Sequence, residues 1–177
     1  MGDTERYKQA LRFASEKHKG QYRIGGDEYI THPIAVAELV RQKGFGIDTR
    51  ITALFHDLLE DTDATEDEIL FYGNEEILEA VKRLTKQKGY VMADYVAAIR
   101  QNKMAFAVKG ADRLHNLRCA LVCDSDFKRR YIFETVDWYL DFAPEIPGAV
   151  KQLAKSLDRP IAELPFLYEP VESWKKT

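Results

Sequence analysis

The chain is predicted to be all-α, a single bundle of about eight to ten helices with at most a minor hairpin near residues 22–30. Three features predict this. Apolar residues recur at helical spacing almost from end to end, Gly and Pro mostly punctuate those stretches, and no alternating run is long enough for a committed strand.

Taking the elements in order, Thr4 can cap a first helix whose Tyr7, Leu11, Ala14 and His18 share a face, with Gly20 ending it. A turn-rich connection, Ile24-Gly25-Gly26-Asp27-Glu28, leads to Tyr29-Ile30-Thr31-His32-Pro33. Pro33 fits the first position of a second helix carrying Ile34, Ala37, Leu39 and Val40, which puts His32 at its N-terminal mouth. The positive end of that helix disfavours a protonated imidazole, so a neutral, ligating His32 is expected. Gly44 and Gly46 break the helix, Asp48 or Thr49 can cap the next, and Ile51 to Glu60 reads as one helix. Thr65 with Glu68 is a capping box for a short helix. Asn74 to Leu84, Met92 to Ile99, Met104 to Cys123, Phe127 to Phe142 and Pro147 to Leu157 complete the set, and the tail from Asp158 is polar enough for a loosely docked end.

With 177 residues, 45% hydrophobic and 11% aromatic, the chain can bury one good core, so residues 1–177 are expected to form a single domain. A net charge of −3 and a pI near 5.9 argue against a nucleic-acid or anionic-membrane surface, which draws its affinity from dense positive charge. Cys119 and Cys123 lack the second pair a structural zinc site needs and read as buried thiols of a reducing compartment. The N-terminus has no signal-peptide core and no apolar run reaches the length of a membrane span, so a soluble, cytoplasmic protein is expected.

The most informative stretch is Phe55-His56-Asp57-Leu58-Leu59-Glu60-Asp61-Thr62. With His56 at 0° on a helical wheel, Glu60, Asp57 and Asp61 fall near roughly 40°, 100° and 140°, while Ile51, Leu54, Phe55, Leu58 and Leu59 fall between about 160° and 300°. Ala53 is the small residue within the polar arc. Three carboxylates at a helix C-terminus oppose the macrodipole, and a bound cation would offset them. A solvated acidic face is the other reading, although such a face ordinarily carries basic partners at i+4 and this one has none.

A second constellation is Ala107-Val108-Lys109-Gly110-Ala111-Asp112-Arg113-Leu114-His115-Asn116-Leu117-Arg118, with Asp112 and Asn116 one helical turn apart. It is either a polar helix face with a structural hydrogen-bond pair or the source of another ligand. Counted together, His32, His56, Asp57 and Asp112 make a mixed nitrogen and oxygen set suited to manganese, iron or zinc. His18, on an apolar face, reads as a hydrogen-bonded core histidine. His115 is also left outside the metal shell.

The order His32, His56-Asp57, Asp112 on helices resembles the H…HD…D pattern of HD-domain metal-dependent phosphohydrolases. Further motifs are similar to the hydrolase domain of the Rel/SpoT alarmone enzymes: His18-Lys19-Gly20-Gln21-Tyr22-Arg23, Tyr29 to Pro33, Leu54 to Thr62, Leu84-Thr85-Lys86 and Val108 to Arg118, echoed by Lys128-Arg129-Arg130 and Glu134-Thr135. The likeness covers core motifs across residues 4–142, leaving a C-terminal helix and tail over 143–177.

The resemblance implies that His32, His56, Asp57 and Asp112 hold one manganese ion. It implies that Glu60 and Asp61 orient the attacking water and handle its protons, and that Arg23, Lys86 and Asn116 contact the nucleotide. The expected reaction removes the 3′-pyrophosphate of guanosine 3′,5′-bis(pyrophosphate), giving GDP or GTP. No synthetase domain accompanies these motifs, so a stand-alone small hydrolase is expected. Glu28 stands where relatives often have Pro and Gly110 where Leu is usual, and the segment from Gln87 to Asn102, at the expected substrate mouth, is short. Lys86 also belongs to a Lys82, Arg83, Lys86, Lys88 cluster that reads equally as a solvated face. Two alternatives stay open: an HD-type phosphohydrolase of another nucleotide, such as a nucleotidase or a phosphatase of a nicotinamide dinucleotide phosphate, and a non-catalytic nucleotide-binding module.

Overall fold

The computed structural model describes residues 2–170, 172 and 174. Its α-helices are α1 (Asp3–Lys17), α2 (Thr31–Gln42), α3 (Ile47–Phe55), α4 (Leu58–Asp61), α5 (Glu66–Tyr72), α6 (Glu75–Leu84), α7 (Met92–Arg100), α8 (Lys103–Cys119), α9 (Ser125–Trp138) and α10 (Ile146–Lys155). Short 3-10 turns follow at Ala120–Val122 and Pro165–Tyr168. The all-α expectation holds: among the described residues the only β pairing is an isolated antiparallel bridge between Tyr22 and Glu28. That bridge closes around Gly25 and Gly26, whose φ of 116° and 96° lie in the left-handed region that glycine enters at little cost. Among the described residues no helix is long and apolar enough to cross a membrane.

Packing divides the chain into two compact units, Met1–Asp112 and Arg113–Thr177. In the first, α3 is central, packed on α1, α2 and α6. Its sequence explains this, because Ile51, Ala53, Leu54 and Phe55 leave no polar stripe and all four are fully buried. Burying Ile51, Leu54 and Phe55 contributes roughly 1.5–3 kcal/mol each. The buried Thr52 hydroxyl is satisfied by donating to Asp48 O at 2.8 Å. Phe13 of α1 meets Phe55 edge to face, at a centroid distance of 5.5 Å.

In the second unit, α9 packs on α10, and Arg113 is the buried polar anchor. Its guanidinium lies 4.2 Å from the ring centres of both Tyr131 and Tyr139 and donates to Glu134. Desolvated cation–π contacts of this kind and a paired carboxylate offset the cost of burying the charge.

Several boundaries differ from expectation. Helix α1 is preceded by Gly2, with Thr4 inside the first turn. Pro33 sits in the first turn of α2 two residues later than expected, where its missing N–H costs no helical hydrogen bond. Gly46 precedes α3, and Asp48 does not cap it because its carboxylate accepts from Arg6 at 2.6 Å and Asn74 at 3.1 Å. Asp124 caps α9, starting it earlier than Phe127, and the helix stops at Trp138. Cys119 is exposed and Cys123 half-buried, so the reading of both as buried thiols is corrected. The tail is better docked than its polarity implied, because Ile161 and Leu167 are buried and Ile161 N–H donates to the Tyr168 hydroxyl at 2.8 Å.

The Thr65–Glu68 capping box is present, with Glu68 N–H to Thr65 Oγ1 at 3.2 Å and Thr65 N–H to Glu68 Oε2 at 2.9 Å. Thr65→Ala should cost about 1 kcal/mol of stability, read as a lower urea midpoint at unchanged slope.

Candidate metal centre

The expected continuous helix from Ile51 to Glu60 is interrupted. α3 ends at Phe55, α4 begins at Leu58, and between them Asp57 adopts φ −102°, ψ −3°. This matters for the site. On an unbroken helix adjacent side chains diverge by about 100°. At this break His56 Nε2 and Asp57 Oδ2 approach to 3.0 Å.

His32 arrives from the first turn of α2, with Nε2 3.8 Å from Asp57 Oδ2. Asp112 comes from α8, its Oδ1 3.1 Å from His32 Nε2 and 3.7 Å from His56 Nε2. Ligand atoms of His32, His56 and Asp57 lie within 4.8 Å of one another. The structure therefore brings together all four sequence-expected ligands in the first unit. His56 Nδ1 is 2.7 Å from Ala53 O; a carbonyl only accepts, so Nδ1 carries the hydrogen and the Nε2 lone pair of the neutral ring faces the other three residues. Buried Nε2 makes no well-formed hydrogen bond. A donor set of two imidazole nitrogens and two carboxylate oxygens, so oriented, fits a divalent ion.

The electrostatics agree. Burial lowers the His32 pKa despite Asp112, which keeps that ring neutral and able to ligate. Burial also opposes charge on His56, but Asp57 and Asp112 outweigh it and push the pKa up to about 10. Burial would raise Asp112, yet Lys109 and the two histidines hold it well below the usual carboxylate range. Without an ion the cluster thus keeps a proton on His56 between two ionised carboxylates.

Glu60 and Asp61 follow on α4 at the rim. Glu60 Oε2 accepts from Lys86 N–H at 2.9 Å, which places the start of the 86–91 loop at the carboxylate pair. Burial together with Asp57 and Glu60 raises the Asp61 pKa. Arg23 reaches the site through Tyr29, its guanidinium 5.7 Å from that ring centre. Asn116 lies four residues beyond Asp112 on α8, in the second unit, and is half-buried. His18 is buried with Nδ1 2.7 Å from Gln21 Oε1, and His115 lies by Cys119 Sγ at 3.7 Å.

Three contributors escaped the sequence reading. The Tyr29 hydroxyl donates to Asp57 Oδ2 at 2.7 Å and approaches Asp61 Oδ2 at 3.4 Å, tying a ligand to the rim. Gln21 donates to Asp61 O at 2.7 Å, and Lys109 Nζ lies 2.9 Å from Asp112 Oδ2. Tyr29 and Lys109 share motifs with His32 and Asp112, and Gln21 shares one with Arg23.

The chain is similar to known proteins. The HD-domain profile matches residues 10–145. The chain is 33% identical over 174 residues, 92% of its length, to the GTP pyrophosphokinase rsh of Brucella melitensis. It is 35% identical over 150 residues, 78% of its length, to the bifunctional (p)ppGpp synthase/hydrolase SpoT of Escherichia coli. It spans about a fifth of the length of these curated relatives, 22% and 21% respectively. A solved structure, described as a metazoan SpoT ortholog that hydrolyzes ppGpp, shares the fold with a TM-score of 0.59 at 20% identity, over 97% of this chain and 96% of that one.

If His56 ligates a divalent ion it must be neutral, so binding of such an ion near pH 7 should release about one proton. Affinity should then rise about tenfold per pH unit on the acid side of the His56 pKa. Calorimetry in buffers of different ionisation enthalpy checks both; uptake of protons, or none exchanged, would contradict the tautomer and charge assignments.

Proposed function

Because the chain belongs to the HD-domain family, we propose that it is a metal-dependent pyrophosphohydrolase that removes the 3′-pyrophosphate of guanosine 3′,5′-bis(pyrophosphate). The observation that carries this reading is the convergence of His32, His56, Asp57 and Asp112 with the Glu60 and Asp61 pair beside them. Likeness to relatives named for (p)ppGpp synthesis or hydrolysis supports the choice of nucleotide.

In this reading the four residues hold manganese, which supplies a Lewis acid, lowers the pKa of water and offsets phosphate charge. Asp61, whose raised pKa makes it the better base, takes a proton from the attacking water. Glu60 has one oxygen committed to Lys86 N–H and orients the water with the other. Tyr29 keeps Asp57 and Asp61 in register through its bridging hydroxyl. The water oxygen bonds to the phosphorus next to the sugar as the bond from that phosphorus to O3′ breaks. O3′ then takes a proton, giving GDP or GTP and pyrophosphate. Arg23 stacks on or pairs with the nucleotide, Lys86 meets phosphate, and Asn116 meets the ribose or base. The protein acts in the cytoplasm on a small nucleotide, with no role for nucleic acid or membrane.

Incubating the manganese-loaded protein with a nucleotide panel and separating products by ion exchange tests the reaction. Pyrophosphate released from the 3′ position alone is the expected result. Inorganic phosphate from other nucleotides, including a nicotinamide dinucleotide phosphate, would transfer the site to the second reading. Asp112→Ala should abolish both manganese binding and turnover. Glu60→Gln should keep manganese while activity falls by about 10²–10⁴; a Glu60→Gln protein of normal activity would remove Glu60 from the chemistry.

A further inference from the structure

His18 has no part in the chemistry above, yet hydrogen bonds join it to the site. The residue is buried, with 2% of its surface exposed. Asp61 O is a main-chain carbonyl that can only accept, so the Gln21 group 2.7 Å from it is the amide nitrogen. Gln21 therefore turns its oxygen to His18, and that oxygen accepts from Nδ1 at 2.7 Å. The hydrogen of the neutral ring is thus on Nδ1, and Nε2 carries the lone pair. Backbone bonds keep His18, Gln21 and Tyr29 in register: Gln21 N–H donates to His18 O at 3.0 Å and Tyr29 N–H to Gln21 O at 2.9 Å. The His18 ring also packs on the Tyr29 ring, 4.7 Å between centres.

Packing alone does not call for an imidazole here. Nε2 is buried with no hydrogen-bond partner among the described residues, a cost that an apolar side chain of similar volume would avoid. The helix cap at this position needs only the backbone, whose N–H donates to Ala14 O. What the imidazole adds is the Nδ1 donor. At the other end of this chain of bonds, Asp61 is the last residue of the four-residue α4, whose closing carbonyls have no partner within the helix. Gln21 supplies that partner, while the Tyr29 hydroxyl reaches the Asp61 carboxylate at 3.4 Å. Asp61 is held at its main chain and at its side chain by two groups that both rest on one buried ring.

We infer that His18 is a positioning residue: by fixing the Gln21 amide it sets the main chain of Asp61, and so the place where that carboxylate meets the attacking water. The inference rests on the reading above, in which Asp61 takes the water's proton. It adds no metal ligand and no contact with the nucleotide. A donor one link behind a general base governs rate rather than affinity, because it moves the base without touching substrate or metal.

Two substitutions separate the donor from the packing. His18→Leu keeps an apolar contact for Tyr29 and removes the donor, whereas His18→Asn keeps an N–H near the place of Nδ1. With manganese-loaded protein and the nucleotide it hydrolyses, His18→Leu should lower kcat about tenfold, the scale of one hydrogen bond, with KM and the manganese isotherm in place. His18→Asn should restore most of that loss. Gln21, half-buried and outside any helix, is the next link. Gln21→Met should give the same loss even if His18→Leu folds poorly, and the double variant should lose no more than either single one, since both break one chain. The Gln21 side-chain amide gives a readout independent of turnover. In ¹⁵N NMR of the metal-free protein its hydrogens should exchange slowly in the wild type and in His18→Asn, and fast in His18→Leu. An unchanged kcat in Gln21→Met, additive losses, manganese affinity falling in step with kcat, or fast exchange already in the wild type would overturn the inference. If the wild type leaves the bis(pyrophosphate) uncut but the substitutions act in this way on another nucleotide, the positioning role stands and the substrate reading fails; cleavage with no effect of the substitutions sinks the inference alone.

Discussion

Two ionised carboxylates held beside two buried imidazoles form the constraint around which the first unit is arranged. Asp57 and Asp112 repel one another in a place where burial already penalises charge. A protonated His56 and the Lys109 ammonium offset that repulsion in the protein alone. A divalent ion would offset it more fully, because it presents two charges to both carboxylates at once. The arrangement is costly as pure structure and economical as a ligand set.

The scaffold makes this convergence rigid. α3 is buried over nearly its whole length, so its C-terminal end cannot shift without disturbing α1, α2 and α6. His56 is fixed there by Ala53 O, and the break after it turns Asp57 toward the imidazole rather than away. Tyr29 and Gln21 then carry the constraint out to Asp61, while Glu60 fastens the loop that bears Lys86. Hydrogen bonds thus link Asp57, Asp61 and Glu60 to the segments that bear Tyr29, Gln21 and Lys86.

Much of the site was legible from residue types. His32, His56-Asp57 and Asp112 stand out because imidazoles and carboxylates rarely share apolar helices without a partner. The break between His56 and Asp57 was not legible, because neither Gly nor Pro marks it and the apolar wheel continues smoothly through it. Asp48 was misread as a cap because its real partners, Arg6 and Asn74, are 42 and 26 residues away. Tyr29 was invisible for the same kind of reason, since its hydroxyl meets carboxylates 28 and 32 residues away. Helix existence followed from periodicity, and the start of α5 followed from its own Thr65–Glu68 box, whereas Asp48 was claimed by side chains arriving from elsewhere.

The central claim is that one divalent ion is held by four atoms: His32 Nε2, His56 Nε2, Asp57 Oδ2 and Asp112 Oδ1. Anomalous diffraction at the manganese edge from crystals of the manganese-loaded protein tests it most directly. The account predicts a single strong peak about 2.0–2.3 Å from all four atoms. A peak elsewhere, or one that leaves Asp112 outside bonding distance, would contradict it.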